Sequence, residues 1–153
     1  GMSAGSLTWY VYPTAPGDIL RVFKDVNNYI GVATRTNVSR LDIYFLKAGA
    51  YTWYIYPTAT PVSANNWYRI TWTKTGTTHA ILINGVNVAV TLDTQVSLGD
   101  YFNTLGSLQT NELGSGLAYT AYSGIIGEFI ARNVAISADD DKREYLQTLG
   151  RYQ

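Results

Sequence analysis

The sequence predicts an all-β domain: a two-sheet antiparallel jelly-roll sandwich with a short C-terminal helix. Three observations carry this fold class. Apolar and polar side chains alternate in short runs, the period of strands with one face on a core. Turn signals recur between the runs, at Pro16-Gly17, Asn27-Asn28, Ala48-Gly49, Thr75-Gly76 and Asn84-Gly85. Helix signals gather only at the C-terminal end, and many short strands with one late helix fit a sandwich.

Taken in order, residues 7–12 place Leu7, Trp9 and Val11 on one face and Thr8, Tyr10 and Tyr12 on the other. Pro13 and Pro16-Gly17 are expected to end this strand. Strands over 18–24, 29–35 and 40–46 follow, then 51–56 with Tyr51, Trp53 and Ile55 against Thr52, Tyr54 and Tyr56. The segment 8–15 recurs at 52–59 with one change, Val11 for Ile55, so the two strands share an environment or form two copies of one aromatic surface element. Residues 65–92 read as a three-stranded meander. Tyr68, Ile70 and Trp72 alternate with Arg69, Thr71 and Thr73, the run 80–83 is apolar enough to be covered on both faces, and 86–92 returns as one strand. Asn84-Gly85 suits a type I′ turn, which needs φ > 0 twice. Residues 100–109 read as a strand, 110–116 as a loop, and 119–137 as strand-rich. Ser137 is placed to cap a helix whose first turn carries Asp139, Asp140 and Asp141, and which Gly150 stops.

A chain of 153 residues makes one domain with a real core, here 3–153, after a Gly1-Met2 start that reads as a tag remnant. Eleven basic and eleven acidic residues leave the formal charge at zero. A nucleic-acid partner calls for a basic face, so that class is set aside. Only 14% of residues are charged, and weak self-repulsion favours homo-oligomers. Without cysteine there are no disulfides or thiolate metal sites. The longest charge-free stretch, 48–68, is broken by prolines and polar residues, so no membrane insertion is expected. Tyrosine stands out at 13 residues, and its apolar body with a polar tip suits half-exposed sheet faces and binding surfaces.

Two segments carry a family resemblance. In 67–85, Trp67 opens a strand and the triplet Ile81-Leu82-Ile83 closes on Asn84-Gly85. In 124–137, Gly124-Ile125-Ile126-Gly127-Glu128-Phe129 leads to Ala135-Ile136-Ser137. Both resemble the concanavalin A-like lectin/glucanase superfamily, in particular laminin-G-like domains. The strand 7–13, with Trp9 and a closing Pro13, is similar to that group's early Trp-containing strand. The resemblance implies a two-sheet sandwich that binds carbohydrate or protein, on an extracellular surface, a virion or a phage tail. There are two departures. The chain begins on a strand that relatives precede with one or two others, so the sheet is expected to have an open edge. Gly127 stands where an acidic residue is usual, which speaks against a carboxylate-dependent calcium site there.

Glycoside hydrolysis needs two facing carboxyl groups. Glu112, Glu128 and Glu144 are the only glutamates, and none has the paired spacing of the catalytic relatives. The single histidine, His79, lies on a strand without a nucleophile-elbow signal. No enzyme activity and no cofactor are therefore expected, with calcium at Asp93 or Asp100 left open. Binding remains, with a glycan or protein partner. Sugars present apolar C–H faces and peripheral hydroxyls, which suit aromatic rings flanked by amides. The candidate residues are Tyr10, Tyr12, Tyr54 and Tyr56, which form one patch if their strands are neighbours, unless the second sheet buries them. Asn65, Asn66, Asn103, Asn111 and Glu112 join them from expected loops. The alternative is a structural or assembly module, a phage-tail or surface-appendage subunit pairing through its open edge.

Overall fold

The computed structural model describes residues 4–25, 27–35, 40–47, 49–76, 78–93, 110–113 and 122–152. In chain order the strands are β1 (Ala4–Ala15), β2 (Gly17–Asp25), β3 (Asn28–Arg35), β4 (Arg40–Lys47), β5 (Ala50–Pro57), β6 (Tyr68–Thr75), β7 (Thr78–Ile83), β8 (Val86–Val88), β9 (Val90–Asp93), β10 (Thr110–Leu113) and β11 (Ser123–Arg132). The helix α1 (Ala138–Thr148) closes the chain with a 3-10 turn, Leu149–Arg151. A five-stranded sheet runs β11-β1-β6-β7-β8 and a six-stranded sheet β10-β2-β3-β4-β5-β9. Every pairing is antiparallel. This is the two-sheet sandwich that the alternation predicts.

The core lies between the sheets. Leu7, Trp9 and Val11 of β1 join Ile70 and Trp72 of β6 and Ile81 and Ile83 of β7. The other sheet contributes Ile19, Leu20, Ile30, Val32, Leu41, Ile43, Phe45 and Ile55. Ile19 and Leu20 are adjacent yet both buried in this cluster, because the β2–β3 register shifts between Asp18 and Leu20. That irregularity turns Asp18 to the outer face, level with Ala33. The apolar triplet behaves as its pattern predicts: Leu82, opposite in sense to Ile81 and Ile83, is also buried.

Three expectations need correction. The segment 86–92 is not one strand of a meander: β8 pairs with β7, whereas β9 pairs with β5 of the other sheet. The chain changes sheets at Ala89, whose carbonyl accepts from the Thr58 N–H at 2.8 Å. Both halves have the same alternation, so periodicity alone does not show the corner. The start of the expected loop at 110–116, Thr110–Leu113, is instead a strand on the edge beside β2. Pro13 does not end β1, which continues to Ala15. β1 pairs on both sides, with β11 and β6, so the first strand is interior. The expected strand at 100–109 lies outside the described residues.

Turn chemistry agrees with the sequence. Asn84 and Gly85 have φ of 53° and 74°. Gly85 has a second reason to be glycine, since a Cβ there would meet the Lys142 Cα at 2.5 Å. Ser137 Oγ accepts from the Asp140 N–H at 3.1 Å, the expected cap.

His79 supplies a test of packing at the far end of the meander. Its ring stacks on Trp72 at 5.7 Å, and the indole N–H donates to His79 Nδ1 at 3.0 Å. Burial first, and then the Lys74 charge, lower its pKa from 6.5 to about 4. Between those values the unfolded chain binds a proton that the folded chain does not, so stability falls as pH falls from 6.5 towards 4. We expect His79→Gln to flatten this part of the pH–stability curve. Urea unfolding of both proteins across that range checks it, and equal slopes would show that His79 does not couple folding to protonation.

Candidate functional site

The helix α1 packs on the outer face of the five-stranded sheet, and the face it covers is polar. Arg69 alternates outward from Ile70 and is 1% exposed. Its Nη1 donates to the Asp141 carboxylate and, at 3.1 Å, to the Asp141 carbonyl, while Nη2 donates to Glu144 Oε2 at 2.6 Å. Thr71 Oγ1 donates to Asp141 at 2.6 Å and shares a 2.9 Å hydrogen bond with Thr8. Arg132 of β11 bridges Thr8 and Glu144. Asp141 therefore does more than favour the helix N-terminus: it is fully buried and clamps α1 to β6. Glu144 carries two arginines.

Beyond this clamp, where α1 ends, aromatic side chains converge. Tyr10 is buried, stacks on Tyr152 at 4.3 Å and shares a hydrogen bond with Thr148. Burial raises the Tyr10 pKa, which keeps the hydroxyl protonated. Trp67 lies 4.8 Å from Tyr152 and 5.6 Å from Tyr12, and all three are half-buried. Gly127 makes room for this cluster, because a Cβ there would meet the Tyr152 ring at 2.7 Å. The Tyr152 hydroxyl in turn accepts from the Glu128 N–H at 3.2 Å. Glycine at 127 thus has a packing reason in this chain. The crevice among Tyr10, Trp67, Tyr68, Tyr145, Leu149 and Tyr152 encloses about 30 Å³, room for a water or two. The crevice has no room for a group larger than that.

The loop beside the rim is held in place. The Asn65 N–H donates to the Pro13 carbonyl at 2.8 Å, and Asn65 takes φ of 62°. The Tyr68 hydroxyl accepts from the Ser63 N–H at 3.0 Å. Asn66 donates to Ser63 Oγ and the Ala64 carbonyl, and both Asn65 and Asn66 are exposed.

A second polar surface lies on the outer face of the six-stranded sheet. Asp18 is fully buried and accepts from Arg21 at 2.6 Å and from Arg35 and the Tyr44 hydroxyl at 3.1 Å each. Tyr44 lies over Gly31, where a Cβ would overlap its ring. Burial first, then the Asp18 charge, push the Tyr44 hydroxyl up, so it remains a donor. Arg40 donates to Asp42 at 2.5 Å and stands 4.1 Å over the Tyr56 ring.

The predicted site residues divide between these surfaces. Tyr10, Tyr12, Asn65 and Asn66 come together at the aromatic rim, with Tyr10 beneath it rather than on it. Tyr56 belongs to the six-stranded sheet. Tyr54 is in register with Tyr44, and Asn111 and Glu112 with Val22 and Arg21. The four tyrosines therefore form no single patch, because β1 and β5 lie in different sheets. Asn111 and Glu112 are strand rather than loop positions. Asn103 and Asp100 lie outside the described residues, and Asp93 ends β9. Sequence reasoning used Trp67 only as the opening of a strand and missed Tyr152, whose isolated place near the end of the chain carries no periodic signal.

No family model and no curated protein matches the sequence. The structure is similar to domain 4 of AbnA, a GH43 extracellular arabinanase from Geobacillus stearothermophilus, solved with arabinotriose. Identity is 13%, the TM-score is 0.66, and the match covers 92% of this chain and 66% of that one. It is similar to a native heptameric SAP-like pentraxin from Limulus polyphemus, at 11% identity and a TM-score of 0.57, over 92% of this chain and 68% of that one. It is also similar to botulinum neurotoxin type C, which depends on interaction with two ganglioside molecules to enter cells. There identity is 12% and the TM-score 0.64, over 94% of this chain and 35% of that one. The chain thus spans only part of each. At these identities the likeness is one of fold, the two-sheet jelly-roll sandwich that the sequence predicts.

Proposed function

We propose that this chain is a non-catalytic carbohydrate-binding module whose ligand lies across the rim formed by Tyr12, Trp67 and Tyr152. The observation that carries the reading is the meeting of three half-exposed rings beside the exposed amides of Asn65 and Asn66. Ring faces take up the C–H faces of a sugar, and amides on a fixed loop meet its hydroxyls. The side-chain amide of Asn65 makes no hydrogen bond among the described residues, so it is available to a ligand. The fold shared with an arabinanase domain solved with arabinotriose, and with a toxin that interacts with gangliosides, supports the same class of ligand. Glu144 is bound to two arginines and Glu128 sits exposed on β11, which supports binding without hydrolysis.

The test is a glycan array followed by calorimetric titration of the hits, with arabino-oligosaccharides as the first neutral probes. Trp67→Ala is expected to weaken binding by about tenfold or more, since an aromatic contact is removed. Asn65→Ala serves as a milder variant with intact rings. Unchanged affinity in both, or an array without a hit, would overturn the reading.

A further inference from the structure

The strand β11 carries a bulge where it passes the aromatic rim. Trp9 pairs with Phe129 and Val11 with Ile126, so Tyr10 alone faces two residues, Gly127 and Glu128. Ile126 and Phe129 both pack on the core, and the two residues between them lie away from it. Bulges are common beside functional sites, where they re-aim a side chain. Here Gly127 admits the Tyr152 ring, and the Glu128 N–H holds the Tyr152 hydroxyl at 3.2 Å. The Glu128 carboxylate takes no part in that contact, and the residue is exposed.

Charge sets Glu128 apart on this face. The carboxylates that α1 buries against the sheet, Asp141 and Glu144, are taken up by Arg69 and Arg132. Glu128 forms no salt bridge and no side-chain hydrogen bond with any described residue, and the residue it faces across the bulge, Tyr10, is a tyrosine. Arg151 is exposed and next to Tyr152 in the chain, yet among the described residues it does not pair with Glu128.

We propose that the rim takes a saccharide bearing a free amine, and that Glu128 is the residue that recognises the ammonium group. The proposal rests on the carbohydrate reading above and adds the chemical class of the sugar. A carboxylate accepts and never donates, and an alkylammonium donates and never accepts. A sugar hydroxyl can also donate to Glu128, but it leaves the charge unbalanced. The rings favour the same group. Trp67 is inclined by 55° to Tyr12 and by 50° to Tyr152, so neighbouring rings form no level platform for a flat sugar chain. Inclined rings turn their π faces in different directions, and such faces attract a cation within about 6 Å. Tyr152 joins the two elements, because its ring meets Trp67 at 4.8 Å and its hydroxyl meets the Glu128 backbone. The amides of Asn65 and Asn66 remain for the hydroxyls of the sugar.

The test compares two oligosaccharides of one skeleton by calorimetric titration of the full chain. One is a glucosamine tetramer; the other is its N-acetylated counterpart, in which the amines are capped. Nα-acetyl-lysine amide supplies an ammonium group without a sugar. The unmodified chain, Glu128→Gln and Trp67→Ala are titrated in mildly acidic buffer, where the sugar amines carry their protons. Glu128→Gln keeps the backbone N–H that holds Tyr152, and circular dichroism checks folding. We expect the glucosamine oligomer to bind about 10- to 100-fold more tightly than the acetylated one, the effect of a charge-assisted hydrogen bond. This preference should shrink as salt rises. Glu128→Gln should remove it, bringing the glucosamine oligomer down to the affinity of the acetylated one. Trp67→Ala should weaken both. Equal binding of the two oligomers, or a preference that survives Glu128→Gln, overturns the proposal and leaves the aromatic rim standing. Lysine amide that binds as tightly as the glucosamine oligomer overturns its saccharide part. If neither oligomer binds, the proposal falls; an array hit for another saccharide then keeps the rim, and an array without a hit overturns both.

Discussion

Arg69→Ala is expected to lower the free energy of unfolding by about 3–5 kcal/mol, the cost of breaking a buried ion pair from one side. Arg69 and Asp141 are 1% and 0% exposed, and Asp141 would keep only the Thr71 hydroxyl as a side-chain donor. Glu144 would still hold Arg132, so the loss concentrates on the Asp141 end of α1. Because Arg69 connects β6 to the helix, part of the effect should appear as detachment of α1, and Tyr152 would leave the rim with it. Guanidinium chloride unfolding measures the total, and hydrogen exchange of α1 amides measures the local part. Arg69→Met with Asp141→Leu is the informative control, since apolar pairs of similar volume often replace a buried ion pair without loss. A loss below about 1 kcal/mol for Arg69→Ala, the range of exposed pairs, would show that the clamp is not what holds the helix.

The second large effect lies on the opposite sheet. Asp18→Ala should also cost about 3–5 kcal/mol, because it leaves the buried Arg21 without its carboxylate and removes the acceptor of the Tyr44 hydroxyl. Asp18→Asn keeps the shape and one acceptor oxygen but no charge, so a smaller loss is expected. The two substitutions separate charge from geometry when their denaturation midpoints are compared at equal slope. If alanine and asparagine cost the same small amount, Asp18 is not the centre of this face. The two sites are on different sheets, so their losses should add in a double variant. Strong non-additivity would reveal coupling through the core.

Much of the fold is legible in the sequence because its physics is local. The alternation in residues 7–12 places Trp9 in the core, and the alternation in 68–74 does the same for Trp72. Asn84-Gly85 makes the turn its φ tolerance predicts, and Ser137 caps the helix that its position announces. The candidate site is legible only by halves. Periodicity shows that Tyr10 and Tyr12 point away from the core, but both would alternate alike under solvent, a helix or another sheet. Tyr10 is in fact covered by α1, while Tyr12 stays half-exposed beside Trp67. The echo of Tyr10-Val11-Tyr12 in Tyr54-Ile55-Tyr56 records two similar strand environments on different sheets, not one surface.

By itself, the sequence determined the period of each strand, the tight turns, the capped helix and the two-sheet class. These depend on backbone preferences and on which residues avoid water over a few positions. Only the tertiary structure decided which sheet each strand joins, as at Ala89, where one alternating run is shared between both. It also decided that Arg69 and Asp141, 72 positions apart, meet under a helix, and that Tyr152 reaches back to Trp67 and Gly127. Such contacts depend on how separate apolar faces are buried together. An arginine on the polar side of a strand has the same local pattern whether it meets water or a buried carboxylate, so its partner is fixed only when the layers close.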